Sequence, residues 1–326
     1  MVRRIALWGP LLIAALLVGA YVAIHQPFVR DGTELLSVPL SEGDTELTTL
    51  GQLIYRGGLD IPRMGQDLGG LSALRWDEET VSLIALTDDA RWVRITTSEM
   101  DGHLDGLAQV VSGPLMGLQG ETLSGKAQGD SESLTRSAKD GWLVGFERDH
   151  RIWRYPSLKD RPVATGIDPV AIMGPLEDNG GTETLAVDER ALFLCAQADR
   201  PAPEPNCYWQ TQGMGPSPLR VEPPVDMRDV GAVPTDADIA SDASVFVLFR
   251  SYSPSGGSVC GITRLRPGGT QESVATFRAP LTVDNFEGLA VREETGRTFL
   301  YIVSDDNFSG DQRTLLMKFE VAGAPS

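Results

Sequence analysis

Histidine and cysteine are scarce, with three of each in 326 residues. Cys195, Cys207 and Cys260 make no Cys-x-x-Cys pair and no Cys/His run of zinc spacing, so no spacing suggests a zinc site. A cysteine nucleophile needs a histidine base, and only His25, His103 and His150 exist. His150 alone falls inside a strong motif, at a strand-to-strand turn where a histidine more often serves structure. No Gly-x-Ser-x-Gly elbow is present, which leaves a serine triad without support. Positive charge is also short: 28 Lys and Arg stand against 45 Asp and Glu, a net charge of −17. Nucleic acid demands a basic footprint and is not an expected partner. No segment of helical period follows residue 30, and no second apolar run of spanning length follows the first 24 residues.

That first run is informative. Arg3 and Arg4 precede an apolar stretch from Ile5 to Ile24, a charged n-region followed by an h-region. At about 20 residues it is long enough to span a bilayer. Cleavage after Ala20 in Val18-Gly19-Ala20 and retention as an anchor are both compatible with these residues. Either outcome exports the rest of the chain, to the periplasm in a bacterium, with residues 5–24 as the only membrane contact. Cys195 and Cys207 flank a proline-rich loop whose base a disulfide would close in that compartment.

Beyond the leader a motif recurs. Gly70-Leu71-Ser72-Ala73-Leu74, Asp130-Ser131-Glu132-Ser133-Leu134, Gly181-Thr182-Glu183-Thr184-Leu185, Thr235-Asp236-Ala237-Asp238-Ile239 and Asn285-Phe286-Glu287-Gly288-Leu289 each precede a turn and an apolar run. The polar anchors Ser72, Glu132, Glu183, Asp238 and Glu287 step by 60, 51, 55 and 49 residues. The runs that follow, such as Trp142-Leu143-Val144-Gly145-Phe146 and Val245-Phe246-Val247-Leu248-Phe249, are strand-like. A period of about 40–50 residues with four strands per unit is a β-propeller signature. The expected fold is all-β, a single propeller of five or six blades behind an N-terminal signal or anchor helix. Residues 1–30 are the leader, 31–46 a linker, 47–321 the propeller and 322–326 a tail. A sixth anchor would lie between Ala90 and Gln128. Pairing Leu47–Tyr55 with Thr314–Val321 would close the ring and hide both sheet edges.

Radial arrangement would bring the anchor carboxylates to one axis. Hard cations such as Ca2+ take six to eight oxygens from carboxylates, amide carbonyls and water. Glu132, Asn179, Glu183, Asn285, Glu287 and Asp306 are the candidate ligands, drawn from separate blades because no contiguous calcium loop is present. Arginines interleave with these acids. Arg148 and Arg151, beside Glu147, are placed to hold an oxyanion, because guanidinium binds such groups in two-pronged fashion. The candidate catalytic set is therefore Glu132, Glu183, Glu287, Arg148 and Arg151. A bound cation would polarise an ester and acidify a water.

Together with Gly69-Gly70, Phe146-Glu147-Arg148-Asp149-His150-Arg151-Ile152-Trp153-Arg154-Tyr155, Asn179-Gly180-Gly181 and Ser304-Asp305-Asp306-Asn307-Phe308, these motifs resemble the exported phytase-like propeller family. The resemblance runs from about Leu47 to Val321 and implies an esterase-like activity of the phytase type. Ser133 and Thr184 stand where that family usually has glycine or alanine. No dense basic cluster suited to a highly phosphorylated inositol is present. Two functions remain open on these residues: a metal-assisted hydrolase of phosphate or other small-molecule esters, most simply a monomer, and a non-catalytic envelope propeller that binds a ligand or protein.

Overall fold

A computed structural model describes residues 35–323, apart from 63–67, 138, 140, 189–190, 198–199 and 310. The leader of residues 1–30 and the first four linker residues, 31–34, lie outside the described residues; within the rest of the linker, Leu36–Ser37 forms a short strand paired with Leu59 and Asp60. No described helix is long and apolar enough to cross a membrane.

The strands form five antiparallel sheets. Each blade is a meander whose first strand lies innermost. Blade 1 holds Leu71–Asp77, Ser82–Thr87, Arg91–Met100 and His103–Pro114. Blade 2 holds Ser131–Ser137, Gly141–Phe146, Arg151–Tyr155 and Val163–Ala164. Blade 3 holds Thr182–Val187, Ala191–Ala196, Cys207–Thr211 and Ser217–Leu219. Blade 4 holds Val233–Ile239, Val245–Ser253, Gly257–Leu265 and Gln271–Phe277. Blade 5 combines Phe286–Glu294, Arg297–Ser304 and Thr314–Val321 with the early strand Leu53–Ile61. The fold is therefore a five-bladed β-propeller. The stretch from Ala90 to Gln128 carries no sixth blade: it supplies the two outer strands of blade 1 and the connection to blade 2.

Ring closure joins the two ends of the chain. Leu53–Ile61 runs antiparallel to Thr314–Val321, with Leu59 opposite Leu316 and Leu53 opposite Val321. Of the stretch expected to close the ring, only its last three residues belong to this strand; Thr49–Leu50 forms a short flanking strand instead. The pairing satisfies a row of backbone groups that would otherwise form an open edge.

Cores form where blade faces meet. Phe277, Phe286 and Phe319 bring blades 4 and 5 together, with ring centroids 5.9 and 5.4 Å apart and edge-on geometry. A disulfide joins Cys195 and Cys207 across adjacent strands of blade 3, while Cys260 stays free and buried.

Every innermost strand carries a β-bulge near its start. The bulged residues are Ser72, Glu132, Glu183, Thr235 and Glu287. Thr235, not Asp238, is thus the blade 4 equivalent of the anchor glutamates. The last three steps then become 51, 52 and 52 residues. A bulge inserts an unpaired residue and re-aims its side chain, which explains why this position stands out in every unit. The chemistry divides: three bulges carry carboxylates and two carry hydroxyls. Ser72 Oγ donates to Ser131 O of blade 2 (2.6 Å), and Thr235 Oγ1 donates to Phe286 O of blade 5 (3.5 Å). The hydroxyls stitch neighbouring blades.

Candidate functional site

The bulges lie at one end of the inner strands, and a second set of residues meets them there. Each blade's second strand returns to this same end, at Asp88, Glu147, Gln197, Arg250 and Asp305. Their equivalence is visible in the backbone. Asp88 N donates to Gly70 O (2.9 Å), Glu147 N to Asp130 O (2.8 Å), Gln197 N to Gly181 O (3.3 Å) and Asp305 N to Asn285 O (2.9 Å). In blade 4 Arg250 pairs with Val233. The propeller mouth thus has two tiers, one of bulges and one of strand ends.

Its centre is strongly acidic. Asp130, Glu132 and Glu147 are buried, and one oxygen from each lies within 4.8 Å of the others. Buried Glu183 and half-buried Glu287 join from blades 3 and 5, and Asp88, Asp305 and Asp306 are buried beside them. Three cations answer these eight carboxylates. Arg148 Nε donates to Asp130 Oδ2 at 2.7 Å and Arg148 Nη2 to Asn179 Oδ1 at 2.7 Å. Arg250 reaches Asn285 Oδ1 at 2.7 Å and Glu287 Oε1 at 3.3 Å. Lys126 Nζ lies 2.9 Å from Asp88 Oδ2 and 3.7 Å from Asp130 Oδ1.

The electrostatics follow from this imbalance. Burial, reinforced by the charges of Glu147 and Glu287, holds the Glu132 carboxyl well above the usual range. Burial and the Glu132 and Glu147 charges do the same to Glu183. Asp305 is pushed up to about 8, chiefly by burial and then by Glu287. Glu287 is raised by burial, against which Arg250 and Asn285 act. Asp88 is raised by burial, opposed by Lys126. Asp88 Oδ1 and Asp130 Oδ1 are buried and, among the described residues, have no hydrogen-bond partner.

This arrangement fits a hard cation. Two oxygens bound to one ion at about 2.4 Å each are at most about 4.8 Å apart, the span of the Asp130, Glu132 and Glu147 oxygens. The Asp88 and Asp130 Oδ1 atoms, which accept no hydrogen bond among the described residues, add acceptor capacity, and the donor set is all oxygen.

The sequence-derived candidates take different positions. Glu132, Glu183 and Glu287 share the mouth. Arg148 stands at its rim. Arg151 is set between the Phe146 and Trp153 rings, 4.1 and 4.3 Å from their centroids. It donates to the Asp149 and Gln128 carbonyls and makes no contact with the three glutamates among the described residues. Asn179 Oδ1 is engaged by Arg148, and Asn285 bridges Arg250 to Glu287 Oε1 (2.7 Å). Asp306 Oδ1 accepts from the Gly70 and Phe308 amides, both at 3.0 Å. Asp130, Glu147 and Asp88 complete the cluster but were absent from the expected ligand set. For Asp88 and Glu147 the signal was a second offset, 16 and 15 positions after the bulges Ser72 and Glu132; Asp130 instead lies two positions before its bulge.

The comparisons bear on this geometry. The family described as "Phytase-like: Esterase-like activity of phytase" matches residues 66–308, three quarters of the chain. The chain belongs to the phytase-like family. The matched span holds every residue of the acidic mouth. No curated protein matches this phytase-like chain in sequence. Among solved structures, an α-L-arabinofuranosidase of Podospora anserina is 12% identical with a TM-score of 0.47, over 85% of this chain and 99% of that one. An endo-arabinase of Bacteroides thetaiotaomicron is 14% identical with a TM-score of 0.42, over 77% and 93%. A putative oxidoreductase (glucose dehydrogenase) of Thermus thermophilus is 14% identical with a TM-score of 0.33, over 87% and 99%. Likenesses this distant carry no argument about chemistry.

Proposed function

We propose that this phytase-like propeller hydrolyses small esters, phosphoesters among them, at its acidic mouth with the help of a divalent cation, Ca2+ in the first instance. The observation that carries the reading is the charge imbalance: among the described residues eight carboxylates gather with three cations, and the Oδ1 atoms of Asp88 and Asp130 accept no hydrogen bond. Burying charge without a partner is costly, so such a cluster holds protons, a cation or both. Asp130, Glu132 and Glu147 would hold the cation, with Asp88 and Glu183 adjoining. When bound, the ion would polarise an ester oxygen and acidify a water.

The protein's own groups have separable roles in this scheme. Burial and the neighbouring Glu132 and Glu147 charges raise the Glu183 carboxyl, beside the cation-holding set, which suits a general acid for a leaving alkoxide. A neighbouring ionised carboxylate can orient and deprotonate water. Arg148 and Lys126, at the rim, offer positive charge to an oxyanion. We place this reaction on the outer side of the cytoplasmic membrane. The Ile5–Ile24 run and the Cys195–Cys207 disulfide both suit export.

The test is hydrolysis of p-nitrophenyl acetate and p-nitrophenyl phosphate by the full chain, with Ca2+ and with EDTA, in wild type, Glu132→Gln and Glu183→Gln. Turnover that falls at least 100-fold in either variant and in EDTA supports the reading. Turnover that survives all three changes would sink it. Absence of turnover, with no Ca2+ effect on stability, would favour the ligand-binding propeller.

A further inference from the structure

A second charged feature lies on the same face, with the opposite sign. Inner strands start at the mouth, so the loop after Ala196 and the connection leading into Val233 both reach this end of the propeller. Between them is a small cavity of about 50 Å3, lined by Arg200, Asn206, Arg220, Glu222 and Arg228 among others. Three guanidinium groups in one cavity are unexpected in a chain with 28 basic and 45 acidic residues.

How the three arginines are held matters. Arg200 donates to the Met173 carbonyl at 2.9 Å and to Tyr208 Oη at 3.1 Å. These acceptors are neutral: they fix the guanidinium, and no carboxylate among the described residues pairs with it. Arg220 Nε donates to Glu222 Oε1 at 2.9 Å, and its Nη1 donates to the Arg200 and Glu204 carbonyls, both at 2.9 Å. The Arg228 side chain makes no hydrogen bond or ion pair among the described residues. Among the described lining residues one carboxylate, that of Glu222, faces three guanidinium groups. The wall is also rigid. Asn206, itself buried, exchanges two 2.9 Å bonds with the Val221 backbone and pins the connection to blade 3.

A fixed, cationic cavity of this size suits a compact anion. Guanidinium N–H groups match the oxygens of phosphate, and those of Arg200 and Arg220, already held in place, lose little entropy on binding. The volume admits a charged head group and leaves any larger body outside. We propose that Arg200, Arg220 and Arg228 form a phosphate site at the junction of blades 3 and 4, separate from the acidic mouth and independent of the hydrolase reading.

The experiment is isothermal titration of inorganic phosphate into the full chain at pH 7.5 with EDTA, under which condition the acidic mouth repels anions. Glycerol 2-phosphate, titrated in parallel, separates a free anion from the head of a monoester. The expected result is one phosphate per chain, with affinity at least 10-fold weaker in Arg228→Ala, whose exposed side chain is not needed for folding. Arg200→Lys keeps the charge, loses the planar fork and should also weaken binding. Wild-type affinity in Arg228→Ala, or no phosphate binding by the wild type, would overturn the proposal. The hydrolase reading is judged separately, by turnover in Glu132→Gln.

Discussion

Arg75 and Asp236 meet on the propeller axis as a two-pronged ion pair, Nη1 to Oδ2 and Nη2 to Oδ1, each 2.8 Å. Arg75 is 2% exposed and Asp236 0%. The same guanidinium donates to the carbonyls of Leu74, Leu185, Ala237 and Leu289, which belong to the inner strands of blades 1, 3, 4 and 5. Asp236 Oδ2 in turn accepts from the Leu289 amide at 2.8 Å. One side chain thus plugs the channel beneath the mouth and ties four blades together. Removing one partner of a buried pair leaves the other charge stranded, at a cost of about 3–5 kcal/mol. Arg75→Met should lose stability of that order in urea denaturation. Adding Asp236→Leu should recover part of it, because the two sites are coupled. A loss below about 1 kcal/mol would show that the axis does not depend on this pair.

Stability should fall as pH rises when no cation is present. Asp305 is pushed up to about 8 and Asp236 to about 6, from an ordinary 3.8, mainly by burial. Between the unfolded and folded values the native state binds more protons than the unfolded chain. Its advantage is complete below the unfolded value and is lost as pH climbs through 6 and then 8. Each extra proton held by the fold gives a slope of about 1.4 kcal/mol per pH unit. Glu99 works the other way: its carboxyl is held low by Lys318, Tyr301 and Arg292 against burial, so its contribution fades in acid. Thermal melts in EDTA should therefore show Tm dropping by several degrees, about 2–4 °C per kcal/mol, between pH 5 and pH 8.5. Ca2+ should restore most of that loss at pH 8.5 and do little at pH 5, where protons occupy the oxygens. A flat Tm profile, or a Ca2+ effect equal at both values, would contradict this linkage.

Much of the architecture was legible in the sequence, for a physical reason. A bulge must break the alternation of a strand, so Glu132, Glu183 and Glu287 leave a mark at every turn of the ring. Blade 4 misled, because its bulge residue is Thr235 while Asp236 and Asp238 carry the charge. Those aspartates point to Arg75 and the axis, a pairing 161 residues apart for Asp236 that no local pattern reveals. Blade number was ambiguous because blade 1 has long outer strands and an extended exit to blade 2, stretching the first step to 60 residues. The strand-end tier was harder to see. Asp88, Glu147 and Asp305 follow apolar runs, where an acid reads as the start of a turn. Only the return of each second strand to the mouth gives them a shared role.

Gly181 should be intolerant of any side chain. A Cβ there would lie 2.9 Å from Glu147 Cγ and 2.9 Å from His150 Nδ1. Glu147 is held by a 2.6 Å bond from the Gly181 amide to its Oε1 and has no room to yield without leaving Asp130 and Glu132. Overpacking of this kind costs typically about 1–3 kcal/mol. Gly181→Ala should lower the melting temperature modestly in EDTA and remove most of the Ca2+-dependent increment. A variant that melts lower but keeps the full Ca2+ increment would show that Glu147 does not belong to the cation shell.

The ring should stand or fall with its closing strand. Leu53–Ile61 covers the outer edge of Thr314–Val321, and Leu53, Leu59 and Ile61 enter the cores on the faces of blade 5. Arg56 reinforces the seam through Glu320, at 2.9 and 2.6 Å to Oε2. A chain lacking residues 1–34 keeps all of these contacts. A chain lacking residues 1–61 loses a whole strand, exposes the hydrogen-bonding edge of Thr314–Val321 and uncovers Leu316 and Phe319. Unpaired edges of this kind recruit other chains. The shorter truncation should stay monodisperse in size-exclusion chromatography with an unchanged melting temperature. The longer one should aggregate or melt without cooperativity, and adding residues 35–62 back as a separate peptide should rescue part of the fold through the vacant edge. Survival of a cooperative, monodisperse propeller without residues 1–61 would mean that blade 5 closes on three strands and that the N-terminal strand is dispensable.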